Sequence, residues 1–199
     1  MPDMNSTSLE RTSVLGPMTD GIATTTAELR IDQAKPATRF SLRMDPAAAA
    51  KLSTAAGFAL DQPINRLVGD TKLSMRLGPD EWMLVAEEQN ATALAAELER
   101  SLDNSRHSVV DVSQRNIALI LSGPRATDVL TTGCPLDFHP SAFPLGTATR
   151  TVIAKSEVVI AQTADMPVYR IECWRSFGRY LDAYLRNSAR LQGIGGEVV

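Results

Sequence analysis

The sequence predicts an α+β fold built from two tandem ferredoxin-like units, each a split β-α-β arrangement with an antiparallel sheet and helices on one face. Three observations predict it. Short stretches of strand-like alternation take turns with stretches of helical periodicity along the chain. The order of these stretches in one half is repeated in the other. A chain of 199 residues, 44% hydrophobic and 22% charged, has an ordinary globular composition and is long enough to form its core without disulfide staples.

Residues 1–26 read as an extended N-terminal arm. Ser and Thr dominate it and no apolar period is sustained, yet Leu9, Val14, Leu15, Met18 and Ile22 are scattered through it, as in a segment that lies along another surface. The first unit is assigned residues 27–113. Residues 39–44 alternate as a strand, Asp45 and Pro46 start a helix, and Gly57 is expected to end it. Residues 72–77 and 81–86 flank the turn Gly78-Pro79-Asp80 as a hairpin. Asn90 caps a helix that carries Leu94, Leu98 and Leu102 on one face, and residues 108–113 close the unit.

The second unit is assigned residues 114–190. Its strand is 116–121, Gly123 and Pro124 start its helix, and Gly133 ends it. A proline-bearing loop over 138–147 follows, without a counterpart in the first half. Strands at 149–154, 157–162 and 169–174 lead to a helix capped by Ser176, with Phe177, Tyr180, Leu181, Tyr184 and Leu185 as its core stripe. Residues 191–199 are left as a C-terminal tail.

Composition restricts the chemistry. A net charge of -3 leaves no basic excess to neutralise phosphates, so neither nucleic acid nor an anionic membrane is an expected partner. Two widely separated cysteines and no apolar run of signal or membrane-span length point to the cytoplasm. Cys134 and His139 could be read as nucleophile and base, but no orienting third group is near, and a small buried thiol filling a gap is the simpler reading. Asp80 and Glu81 sit at a hairpin tip, where neighbouring strand residues point to opposite faces. Asp111 is expected to be buried and bonded to Ser113 or Arg115. No phosphate loop and no metal-ligand spacing occurs. Arg170, Arg175, Arg179, Arg186 and Arg190 form either a solvated face, with Asp182 paired to Arg186, or a partner surface. The candidate interface residues are Trp174, Arg175, Phe177, Arg179 and Tyr180. No catalytic, cofactor-binding or metal-binding residue is expected.

Five motifs in order, at residues 77–84, 111–115, 133–137, 139–144 and 172–177, make the chain resemble the gamma subunits of heterotetrameric sarcosine oxidases. The likeness runs from about Arg39 to the last helix. More distantly, residues 111–113, 122–124 and 130–132 are similar to folate-dependent aminomethyltransferases of the glycine cleavage system, which implies an aminomethyltransferase-like fold. The resemblance implies a noncatalytic subunit of a complex that oxidatively demethylates sarcosine to glycine, forming hydrogen peroxide and methylene-tetrahydrofolate. It implies alpha, beta and delta partners, alpha in direct contact, with FAD, FMN, NAD, tetrahydrofolate and zinc on those other subunits. The alternative is a folate-binding aminomethyltransferase-like domain or a related assembly factor; no folate-contact residue is carried over.

Overall fold

A computed structural model of the chain describes residues 27–87, 90–102 and 105–194. The expected arm, and residues 195–199 of the expected tail, lie outside these residues. The described chain opens with β1 (Arg30–Gln33) and β2 (Ala37–Met44). The Asp45 carboxylate then caps α1 (Pro46–Leu52), accepting from the amides of Ala47 at 2.9 Å and Ala48 at 3.0 Å. Pro46 begins the helix, where an amide donor would be orphaned.

The helix stops at Leu52, before the expected Gly57. Ala56 and Gly57, with φ of 47° and 79°, instead form the turn between β3 (Thr54–Ala55) and β4 (Phe58–Ala59). A two-residue hairpin turn whose twist matches its strands needs positive φ at both positions. β5 (Arg66–Val68) precedes the expected hairpin, observed as β6 (Lys72–Arg76) and β7 (Glu81–Glu87). Asn90 caps α2 (Ala91–Leu102) by accepting from the Ala93 amide at 3.1 Å, and Leu94, Leu98 and Leu102 are the buried residues. β8 (His107–Asp111) follows.

The second half comprises β9 (Asn116–Ser122), α3 (Ala126–Thr131), β10 (Ala148–Ile153), β11 (Ser156–Ala164) and β12 (Val168–Trp174). One turn of 3-10 helix over Arg175–Phe177 runs into α4 (Gly178–Leu191). No side chain caps that turn or α4, so Ser176 is not the expected cap. Residues 132–147 remain a loop, held from inside by Phe138 and Phe143. Their rings lie 5.4 and 6.3 Å from that of Tyr169.

Two antiparallel five-stranded sheets result, ordered β5-β6-β7-β2-β8 and β1-β9-β12-β11-β10. In the first, β7 lies between β2 and β6 and so splits the β2-α1-β6 unit. In the second, β12 takes the corresponding place beside β9. The edges are closed unequally: β8 pairs with β2, but β9 is joined by β1, in register from Arg30↔Ser122 to Gln33↔Leu119. A strand from within the span assigned to the first unit therefore completes the second sheet. Among the described residues no strand follows α4, so that edge is free to take β1, whose Ile31 is buried in the second core. The expected tail also begins late, because Ile194 is buried in the same core.

Alternation along each strand sorts the apolar residues into layers. Phe40, Leu42, Trp82 and Leu84 pack with Leu94 and Leu98 of α2 on the outer face of the first sheet. Leu119, Ile160 and Ile171 pack with Leu130, Leu181 and Leu185 of α3 and α4 on the outer face of the second. The opposite faces meet each other through Leu73, Met75, Met83 and Val85 against Ala148, Val159 and Ala161. The order of layers is helices, sheet, sheet, helices. No described helix is long and apolar enough to cross a membrane.

Candidate partner interface and the sheet-to-sheet ion clamp

The five residues expected at an interface lie where β12 leaves the second sheet and turns into α4. Trp174 is 48% exposed, Phe177 37% and Tyr180 39%, large values for aromatic rings on a chain with few of them. Arg179 is exposed and Arg175 half-buried. The patch is braced from beneath: the Arg175 amide donates to the Arg115 carbonyl at 2.7 Å, and the Arg115 guanidinium lies 5.8 Å from the Trp174 ring centre. The Tyr180 hydroxyl accepts from the Lys155 amide at 3.4 Å.

The expected core stripe of α4 is divided by the structure. Leu181 and Leu185 are fully buried, with Ala189 continuing their four-residue spacing, whereas Phe177 and Tyr180 face outward and Tyr184 is half-buried. The helix covers the sheet with its aliphatic residues and leaves its rings on the flank. Tyr184 lies over Gly133, where a Cβ would stand 2.3 Å from its hydroxyl oxygen.

The five arginines do not form one surface. Arg170 is buried between the sheets, while Arg186 binds both oxygens of Asp182 at 3.0 Å and donates to the Ile31 carbonyl at 3.1 Å. The Asp182–Arg186 pair is thus present, and it also ties α4 to β1.

The groups weighed for chemistry are either buried or bonded to near neighbours. Cys134 is buried, 3.8 Å from the Thr151 hydroxyl, and His139 bonds Ser141 within its own loop at 2.8 Å. Burial, and then the neighbouring Glu172 carboxylate, pushes the Cys173 thiol up to about 12, against the lowering effect of Arg39. A thiol so held is protonated at neutral pH, and the thiolate is the nucleophilic form. His107 bonds Glu99 and the Ser105 carbonyl, at 2.8 and 2.7 Å. Asp111 is exposed, a correction to its expected burial, and accepts from the Ser113 amide at 2.8 Å and from the Ser113 hydroxyl. Asp80 and Glu81 both reach the Arg43 guanidinium at 3.1 Å. Strand alternation does not separate them, because Asp80 lies in the turn before β7. Among the described residues, no group of three His, Cys, Asp or Glu side chains could hold a metal ion.

Sequence reasoning missed the charges between the sheets. Glu172 of β12, 1% exposed, accepts from Arg39 of β2 at 2.7 Å and from Arg170 of its own strand at 2.9 Å. Arg170 also faces Glu87 of β7 at 3.6 Å. At the outer end of the contact Arg150 of β10 pairs with Glu81 of β7, whose carboxylate holds the guanidinium above its ordinary range against partial desolvation. Each of these three cross-sheet pairs joins an arginine of one sheet to a glutamate of the other. A signal was available in β12, where Arg170 and Glu172 alternate with Tyr169, Ile171 and Cys173. A polar residue on the second face of such a strand marks a second packed face as readily as solvent.

The sequence pattern of the "Sarcosine oxidase, gamma subunit family" matches residues 42–190. The chain belongs to that family. Sarcosine oxidase gamma subunits from Arthrobacter sp and Corynebacterium sp. strain U-96 are 35% and 33% identical to it over 137 and 146 residues. Those stretches are 67% and 71% of this chain, and 66% and 67% of the relatives, so it spans about two thirds of the gamma subunits it matches. The fold agrees with a chain of the heterotetrameric sarcosine oxidase from Corynebacterium sp. U-96, with a TM-score of 0.79 at 26% identity, covering 95% of this chain and 99% of that one. It is also similar to glycine cleavage system aminomethyltransferase T from Bartonella henselae, with a TM-score of 0.64 at 17% identity. That match covers 84% of this gamma-family chain and 48% of the transferase, and shows a shared fold.

Proposed function

We propose that this chain is the noncatalytic gamma subunit of a cytoplasmic heterotetrameric sarcosine oxidase, and that the Trp174–Tyr180 patch docks on the alpha subunit. The observation that carries the reading is the near end-to-end match to a chain of a heterotetrameric sarcosine oxidase. The proposed complex demethylates sarcosine oxidatively to glycine, with hydrogen peroxide and methylene-tetrahydrofolate as further products. Beta and delta subunits complete it, and FAD, FMN, NAD, tetrahydrofolate and zinc reside on the other subunits. The buried thiols and locally bonded histidines support a role made of contact rather than chemistry. Exposed aromatic and arginine side chains in one patch support the docking site, since these residue types dominate interface energetics.

Co-expression with the other three subunits tests the reading. A stable complex with four different chains is expected, held by an interface of about 1,600 Å². Trp174→Ala and Tyr180→Ala should each weaken association about 30-fold, corresponding to about 2 kcal/mol for a residue at the centre of an interface. Both positions are substantially exposed, so the variants should stay folded by circular dichroism. A chain that purifies alone, or variants that associate like the parent, refutes the patch assignment. A saturable change in Trp174 fluorescence on adding tetrahydrofolate to the isolated chain would favour the folate-binding alternative.

A further inference from the structure

Each five-stranded sheet has two edge strands, and three of these four edges find a partner among the described residues. β5 of the first sheet is laced to the start of β10 in the second: the Leu67 amide donates to the Gly146 carbonyl at 2.8 Å, and the Ala148 amide to the Asn65 carbonyl at 3.0 Å. β1 is engaged by α4, whose Arg186 donates to the Ile31 carbonyl at 3.1 Å. The fourth edge, the outer side of β8, pairs with no other described strand.

The register fixes which groups that edge presents. In an antiparallel pair, opposed residues alternately bond each other and turn their amides and carbonyls outward. The Val112 amide donates to the Arg39 carbonyl at 2.9 Å, and the pairs Phe40↔Asp111, Ser41↔Val110 and Leu42↔Val109 follow in unbroken register. Ser41↔Val110 is therefore a bonded pair, and Asp111 and Val109 point their amides and carbonyls away from the sheet. No hydrogen bond from the rest of the described chain reaches those four main-chain groups. Natural edges are blunted by lysine, proline or a bulge; β8 has none of the three, and its Val110 is 52% exposed. Such an edge is a template for one more strand.

We propose that β8 receives a strand from another subunit of the complex, added along His107–Asp111. Continuity with the Trp174–Tyr180 patch selects that occupant. Val110 lies opposite Ser41, and Ser41 and Val112 line the same inter-sheet cleft as Arg115 and Trp174, so the edge and the patch flank one cleft. The inference rests on the reading of this chain as one subunit of a heterotetramer, and a complex of four different chains holds no second β8 to pair with. The incoming segment should alternate, with an apolar residue against Val110 and a basic one beside the exposed Asp111. Main-chain hydrogen bonds give such a contact its affinity, and the alternating side chains its selectivity.

Residue-resolved hydrogen exchange on the isolated full chain and on the four-subunit complex tests the proposal. The Val109 and Asp111 amides should exchange about ten-fold more slowly in the complex, while the Val110 amide, bonded to β2, is slow in both. Val109→Pro removes one outward donor and leaves the β2 ladder whole, since proline is tolerated where the amide faces away from the sheet. Val110→Lys puts a blunting charge at an exposed position, and carries the test if the proline variant fails to fold by circular dichroism. Each variant should weaken association about ten-fold. A complex that forms with both amides unchanged, or folded variants that associate like the parent, overturns the added strand and leaves the patch to stand on Trp174→Ala. Amides already protected in a monomeric isolated chain show an edge closed from within, and protection in a homodimer assigns it to a second copy; both overturn the proposal. If no complex forms, the strand and the patch fall together.

Discussion

Replacing Glu172 by glutamine keeps the shape of the side chain and removes one charge from between the sheets. Arg39 and Arg170, each about 4% exposed at the side chain, would then face a neutral amide whose NH₂ group opposes one of their own donors. The partner left to Arg170 is Glu87, 3.6 Å away and 45% exposed. Breaking a buried pair by removing one partner typically costs about 3–5 kcal/mol, because the surviving charge stays desolvated. For a chain of this size that corresponds to a melting temperature lowered by roughly 6–20 °C. With a urea slope of about 2 kcal/mol/M the midpoint should fall by roughly 1.5–2.5 M. The combined variant Arg39→Met, Arg170→Met, Glu172→Leu should be no less stable than the parent, since well-packed apolar residues match or exceed a buried ionic triad. Urea unfolding of the three proteins decides. A glutamine variant within about 1 kcal/mol of the parent, or a combined variant less stable than the glutamine one, would refute the view that the glutamate exists here to compensate the arginines.

Two further outcomes follow from the same packing. Gly133→Ala should destabilise the chain by about 1–3 kcal/mol, since its Cβ would meet the Tyr184 hydroxyl, and adding Tyr184→Ala should recover part of the loss in a double-mutant cycle. Strictly additive effects would show that the crowding is relieved elsewhere. The Cys173 thiol, ordinarily near 9.0, is pushed up to about 12 in the folded chain, so between these values the unfolded chain releases a proton that the native state retains. Stability from this site is present in full below pH 9 and should fall by about 1.4 kcal/mol per pH unit above it. The difference between the parent and Cys173→Ala across that range isolates the slope from other alkaline titrations. Parallel pH profiles for the two proteins would refute it.

Much of the second unit and the caps of the first were legible because their signals are local. Asp45 and Asn90 cap helices by bonding amides two or three residues away, and the 72–86 hairpin is set by a four-position turn. The α4 stripe was half legible. Helical spacing groups Tyr180 and Tyr184 with Leu181 and Leu185, but how far the sheet extends beneath the helix decides which rings it covers. Gly57 was given the wrong task because a glycine at positive φ fits a helix end and a hairpin turn equally well. The candidate interface residues were legible together at the junction of the 169–174 strand and the last helix; the exposure of Trp174, Phe177 and Tyr180 there was not.

By itself the sequence determined the longer strands and helices, their repeated order, and the scarcity of groups able to do chemistry, all of which depend on neighbours a few positions apart; the short strands β1, β3, β4 and β5 were not read from it. Only the tertiary structure decided which sheet β1 joins, since any open antiparallel edge offers the same backbone donors and acceptors. It also decided where the buried charges go. Arg39 and Glu172 are far apart along the chain, and their pairing exists because two sheets, each already packed on its own helices, turn their remaining faces toward one another. A charge on such a face reads in the sequence as solvent-exposed; stacking makes it a buried pair whose partner comes from the other half.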